Sequence, residues 1–218
     1  MGVFWLPFFL LMATSTIDTD TELSAVNSIL GAIGQSPVTN LDLAGNPNPE
    51  ISFIYNILTE VNKDVQNEGW HFNTEDHIKI TLASAGEITV PQNTLRYDFH
   101  NGLNDKLYDV VTRDGKLYDL VEHTSTFEAG DYYIDAVTLY KFADLPNAFQ
   151  RYITHRAATR AATQLVSNPQ LVQLLQTQEA LARATCMELE CDKGDNSFFG
   201  VPDQSRYNSY KPYDALRR

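Results

Sequence analysis

Cysteine is almost missing from this chain: two in 218 residues, Cys186 and Cys191. They stand five apart in a run with helical periodicity, so their side chains leave a helix on different sides. That disfavours a disulfide between them. They read as reduced thiols in a cytosolic setting that fill space rather than react. Basic charge is also scarce, with 16 Lys and Arg against 28 Asp and Glu and a formal net charge of −12. Affinity for phosphate is built from Lys and Arg, so this balance argues against a general nucleic-acid binder, including a regulatory helical DNA-binding protein. It leaves room for a protein that DNA passes without adhering. Long apolar runs are lacking too. Val3–Leu11 contains Pro7, falls far short of the roughly 20 residues of a spanning helix, and lacks the basic start of a signal peptide. Three readings of it stay open: upstream sequence, with Met12 as the true first residue; a weak signal sequence; or an arm that docks on a partner. The first is the preferred expectation.

Motifs of catalysis are missing as well. There is no HExxH, no Cys pair at zinc-site spacing, no GxSxG, no GxxxxGK[ST] and no GxGxxG. The five histidines are His71, His77, His100, His123 and His155. Glu75-Asp76-His77 offers metal donors but reads better as a solvated turn before a strand. The acid pairs Glu60/Asp64 and Glu188/Asp192 fit exposed helix faces. No catalytic residue, metal or cofactor is expected, and the chain is not expected to be an enzyme. The alternative is a glycan hydrolase, which needs two carboxylates at a separation set by the fold.

Helical signals occupy both ends of the chain. Asp18–Gly34 reads as a first helix, with Thr21 as N-cap, Leu23, Val26, Asn27, Leu30 and Ile33 on one side, and Gly34 as its stop. Asn48-Pro49-Glu50 gives cap, first-position Pro and early acid in the order a helix start requires. Its stripe is Ile51, Ile54, Tyr55, Leu58, Val61 and Val65, ending near Gly69-Trp70. Phe53 and Ile57 lie off that stripe, which predicts burial on two sides. A third helix opens at Asp144-Leu145-Pro146, with Phe149, Tyr152, Ile153, Ala157, Ala161 and Leu165 on one face. A fourth starts with Asn168 as N-cap and Pro169 at its first position, with the stripe Leu171, Leu174, Leu175, Leu181, Ala182 and Leu189, and Gly194 follows its end.

Between Phe72 and Tyr140 the apolar period shortens toward two, which predicts strands at Ile78–Leu82, Glu87–Val90, Leu95–Phe99, Leu107–Val111, Leu117–Val121 and Tyr132–Tyr140. Asp114-Gly115 is a strong hairpin turn. A two-residue loop there sets Val111 opposite Tyr118, Asp109 opposite Leu120 and Tyr108 opposite Val121. The expected class is therefore α+β: a four-helix bundle with an antiparallel β subdomain inserted between helices 2 and 3, and an extended C-terminal arm. The boundaries are 1–17 for an N-terminal extension, 18–71 for helices 1 and 2, 72–141 for the β insertion, 142–194 for helices 3 and 4, and 195–218 for the arm. Arg151, His155, Arg156 and Arg160 give the third helix a basic side. The arm holds Phe198, Phe199, Tyr207, Tyr210 and Tyr213, with Lys211, Arg217 and Arg218 closing it. Aromatic residues with Arg are the usual anchors of buried contacts.

Four stretches, in order, resemble one family. Glu22–Val38 is similar to the opening signature of tail tubular protein A, the head-to-tail adaptor of T7-like short-tailed bacteriophages. Val61-Asn62 through Gly69-Trp70-His71-Phe72-Asn73 resembles the end of that family's second helix. Tyr140 through Asp144-Leu145-Pro146, Phe149 and Tyr152-Ile153 resembles the start of its third. Glu179-Ala180, Ala182-Arg183-Ala184 and Cys186-Met187-Glu188 resemble its last helix. The resemblance covers roughly Thr21–Gly194. It implies a structural subunit of the virion tail, assembled in the host cytoplasm, of which about twelve copies form a ring between the portal protein and the tail nozzle protein (tail tubular protein B). Tail fibres attach near the ring's lower edge, and DNA passes through the lumen without sequence-specific binding or a membrane. On this mapping Arg151, Arg156, Arg160, Phe198, Phe199, Tyr207, Tyr210, Tyr213 and Arg217 contact the portal or the adjacent subunit. The hairpin tip, Arg113, Asp114, Gly115 and Lys116, faces nozzle or fibre.

Overall fold

The computed structural model describes residues 21–41, 48–100 and 108–194. Helices α1 (Glu22–Ala32) and α2 (Pro49–Gln66) come first, and α3 (Asn147–Leu165) and α4 (Pro169–Gly194) come last. Between them lie β1 (Thr74–Leu82), β2 (Gly86–Glu87), β3 (Thr94–Phe99), β4 (Val110–Arg113), β5 (Lys116–Asp119), β6 (Thr126–Phe127) and β7 (Gly130–Thr138). The class is α+β.

The helix starts follow their caps. Thr21 Oγ1 accepts from the Ser24 N–H at 3.3 Å, and Asn48 Oδ1 accepts from the Glu50 N–H at 3.1 Å with Pro49 in the first turn. Asn168 Oδ1 likewise takes the Gln170 N–H at 3.1 Å. The third start differs from expectation. Residues Phe142–Asp144 form a 3-10 turn, and Pro146 is itself the N-cap, without a side-chain hydrogen bond. The Gln150 amide compensates by donating to the Phe142 carbonyl at 2.9 Å. The first helix is also shorter than predicted. Gly34 lies just beyond it at φ +81°.

α3 is the hub of the helical layer, touching α1, α2 and α4. Its buried alanines Ala157, Ala158, Ala161 and Ala162 let neighbouring backbones approach, while Phe149, Tyr152 and Ile153 fill the space near its start. Trp70 meets Phe149 edge to face and Phe72 meets it at a tilt, with 4.8 and 4.7 Å between centroids. α2 is buried more widely than one stripe, as Ile57 at 3 % exposure shows, yet Phe53 remains 39 % exposed. The largest correction concerns α4. Leu175, Cys186, Ala182 and Leu189 join the core, but Leu174 and Leu181 are each 66 % exposed. Among the helices α4 lies chiefly against α3, so its covered stripe is narrow and the flanking leucines fall outside it. Cys186 is fully buried, donates its thiol to the Ala148 carbonyl at 3.3 Å, and is pushed up to about 11 by burial.

The strands build a three-stranded antiparallel sheet in the order β1-β7-β3, and two small pairs, β2-β6 and β4-β5. Their boundaries shift from the sequence reading. β1 starts at Thr74, so Glu75-Asp76-His77 lies within the strand at a bulge and not in a turn before it. β6 carried no sequence signal because it has two residues. β5 stops at Asp119, whose buried side chain accepts the Val121 N–H at 2.9 Å and turns the chain away. Val111 does face Tyr118, and the Leu120 N–H reaches the Asp109 carbonyl at 2.7 Å. The β part has its own core of Ile88, Phe99, Val110, Leu117, Phe127, Tyr132 and Ile134.

Candidate assembly interface

The longest helix presents a face that nothing among the described residues covers. Leu174 and Leu181 sit seven residues apart, about two turns, and so project from one side of α4. Gln178 and Thr185 continue the same side. Beside Leu181 runs a groove of about 380 Å³, lined by Ala148, Arg151 and His155 of α3 and by Gln178, Leu181, Ala182 and Thr185 of α4. Arg151 is exposed at its edge. The surface thus combines two large apolar side chains with a cation, the chemistry typical of a protein contact.

His155 reports on this groove. Burial lowers its pKa below the ordinary histidine value, Arg151 pushes the same way, and Glu179 of α4 opposes them. A depressed pKa means that the unfolded chain takes up the proton more readily. The stability carried by neutral His155 is therefore complete above its ordinary value of about 6.5 and is lost as pH falls from there through the lower pKa of the folded state. Substituting Arg151→Gln should raise the His155 pKa, read by NMR titration of the ring protons. An unchanged or lower value would place Arg151 away from the groove.

The basic side of α3 divides in three. Arg156 Nη1 donates to Glu68 Oε1 at 3.2 Å and to the Tyr152 hydroxyl at 3.1 Å. Arg183 of α4 reaches the same carboxylate through both terminal nitrogens, at 3.1 and 3.0 Å, and the same hydroxyl at 2.7 Å. Glu68 and Tyr152 hold the Arg183 guanidinium strongly to its charged form. Arg160 pairs with Glu60 at 2.8 Å and Asp64 at 3.6 Å on α2. Arg160 thus stitches α3 to acids on α2 and Arg156 to Glu68 just beyond its end, while Arg151 faces the groove. Arg183 and Glu68 are absent from the sequence-based site. The Glu179–Glu188 stretch marked Arg183 only as part of a helix.

At the hairpin tip, Asp114 (φ +49°) and Gly115 (φ +72°) take the left-handed conformations of a tight hairpin turn. Arg113 lies 4.1 Å from the Tyr118 ring centre, and Lys116 Nζ binds Glu87 Oε2 at 2.6 Å. The Val90 N–H donates to the Gly115 carbonyl at 2.8 Å, so the tip is braced from behind while Arg113, Asp114 and Gly115 remain exposed. Phe198, Phe199, Tyr207, Tyr210, Tyr213 and Arg217 lie outside the described residues, as does the 1–17 extension.

Comparison with known proteins places this architecture. A family model described as tail tubular protein matches residues 23–196, four fifths of the chain. The chain is similar to tail tubular protein A of Klebsiella phage KP34, with 32% identity over 108 residues, covering 50% of this chain and 54% of that protein. In that match the chain spans about half the length of the curated relative. The class is a structural component of a bacteriophage tail, in the virion. Within that class, the chain belongs to the tail tubular protein family.

Proposed function

We propose that this protein is the adaptor subunit that joins the portal to the tail nozzle. In this reading the four helices act as one bundle from which the β part is inserted. Copies of the chain, about twelve, close into a ring, fibres attach near its lower edge, and DNA crosses the lumen. The observation that carries the proposal is the uncovered face of α4, with Leu174 and Leu181 each 66 % exposed beside Arg151, in a protein of a tail family. That face, with Arg156, Arg160, Phe198, Phe199, Tyr207, Tyr210, Tyr213 and Arg217, meets the portal or the adjacent copy. The tip at Arg113, Asp114, Gly115 and Lys116 meets nozzle or fibre. A net charge of −12 suits a passage that should not retain DNA.

Sedimentation of the purified protein, alone and then with its cognate portal ring, tests this reading. The expected result is a small species that moves into a large portal complex, and a chain ending at Gly194 that stays folded by circular dichroism but remains small. If the full chain stays small beside the portal, the adaptor role is wrong. If the shortened chain binds like the full one, the arm carries no contact. In the same assay with nozzle protein, substitutions at Arg113 and Asp114 should reduce binding, and unchanged binding would reject the tip assignment.

A further inference from the structure

The three-stranded sheet brings together two histidines that the sequence keeps 23 residues apart. β7 lies in the middle of that sheet and carries Asp135, with β1 on one side and β3 on the other. Register places Asp98 opposite Asp135, and the His100 N–H extends the β3 pairing to the Tyr133 carbonyl at 2.8 Å. His100, two residues beyond Asp98, therefore shares the face of Asp135. Phe99 and Ile134 point the other way, into the β core. On the β1 side the register jumps from Glu75↔Ala136 to Ile78↔Ile134, so Asp76 and His77 together oppose the single residue Asp135. The bulge turns His77 to φ +62°, a conformation residues other than glycine rarely adopt. It also directs the His77 N–H to Asp135 Oδ1 at 3.0 Å and lays the His77 ring against His100, with centroids 3.6 Å apart and planes tilted by 37°. His100 Nδ1 is 2.9 and 2.8 Å from the two oxygens of Asp135.

We propose that His77, His100 and Asp135 form a binding site for a first-row divalent transition cation such as zinc. Their ligand atoms all lie within 4.8 Å of one another. Tetrahedral coordination at 2.0–2.1 Å sets ligand atoms roughly 3.3 Å apart, so small rotations of the two rings close the triad on one ion. Two imidazoles and one carboxylate suit zinc and its neighbours, whereas calcium and magnesium call for oxygen ligands throughout. The three ligands leave a fourth position for water. The side chains of His100 and Asp135 are 21 and 30 % exposed and His77 is exposed, so an ion reaches the site from solvent. On binding, the cation takes the place of the proton shared between His100 Nδ1 and Asp135, and that proton leaves to water. The ion then ties both outer strands to the central one. A His100–Asp135 ion pair by itself accounts for those two residues, but not for a left-handed His77 held against the second ring.

The test is calorimetric titration of zinc chloride into the full-length, chelator-treated protein, with Co²⁺ absorption as a second readout. One equivalent of zinc should bind, with a Co²⁺ spectrum of low coordination number. His77→Asn and His100→Asn should each weaken binding by at least about tenfold. His123→Asn, outside the cluster, should leave it unchanged. Asparagine tolerates the left-handed conformation, so His77→Asn removes the imidazole without disturbing the bulge, and a melting curve without metal checks this. If His100→Asn does not fold, His77→Asn decides alone. No binding by the wild-type chain at up to about 100 μM zinc overturns the proposal. So does binding that His77→Asn leaves intact.

Discussion

Replacing Asn73 by alanine is expected to destabilise the protein by about 3 kcal/mol. Asn73 is fully buried where the last turn of α2 gives way to β1. Its side-chain oxygen accepts the Trp70 N–H at 2.8 Å, and its amide donates to the Gln66 carbonyl at 2.8 Å and the Thr138 carbonyl at 3.2 Å. The Trp70 indole N–H meanwhile donates to the Val65 carbonyl at 2.7 Å. Beside it, the Gln66 side chain exchanges two hydrogen bonds with the Tyr140 backbone, accepting its N–H at 2.8 Å and donating to its carbonyl at 2.9 Å. This polar joint ties both ends of the β part, residues 73 and 138–140, to α2. Alanine strands the buried Trp70 N–H, which costs about 1–3 kcal/mol, and removes two further bonds worth about 1 kcal/mol each. The Gln66 carbonyl keeps the Gly69 N–H at 3.1 Å, which limits the loss. For a chain of this size the melting temperature should fall by roughly 6–12 °C. Urea unfolding is the direct measurement. A loss under about 1 kcal/mol would mean that water replaces the amide and that the joint is not a dry one.

Much of this frame is visible in the residues themselves. Thr21, Asn48 and Asn168 cap the helices they were expected to cap, because a cap is a local bond needing only the next two or three residues. The Asp114-Gly115 turn was equally local, and so was the pairing of Val111 with Tyr118 that follows from it. What stayed hidden depends on partners distant in sequence. Leu174 and Leu181 satisfy the helical period as well as Leu175 does, and only the position of α3 decides which are covered. The same holds for Glu68, which becomes the meeting point of Arg156 and Arg183 because two later helices converge on it. His77 reads as part of a polar turn until β7 is placed between β1 and β3. The bulge that aims its ring is set by strand register, which no single stretch encodes. β6 is too short to show a period at all, and β2 pairs only at Gly86–Glu87, the edge of the predicted Glu87–Val90 strand.

Leu174→Asp combined with Leu181→Asp should weaken association with the portal or with neighbouring copies at least about 100-fold while leaving the isolated chain folded. The two leucines keep two thirds of their surface in water, so the isolated chain has little to lose from their replacement, about 0.5 kcal/mol or less each. In an interface the balance reverses. Burying the remaining apolar surface of each leucine contributes about 1–2 kcal/mol, and an aspartate in its place must also shed its hydration without a facing cation. Together these exceed the 2.7 kcal/mol or so that a 100-fold change requires. Arg151→Glu should act differently. It stands at the exposed rim of the groove, where a charge mainly sets association rate and salt dependence. Its effect should therefore shrink as salt rises, while that of the double leucine variant should not. Sedimentation with the portal ring at low and high salt separates the two. A double variant that assembles like wild type would show that the uncovered face of α4 stays in solvent in the virion, and the helical contact would then have to lie elsewhere on the chain.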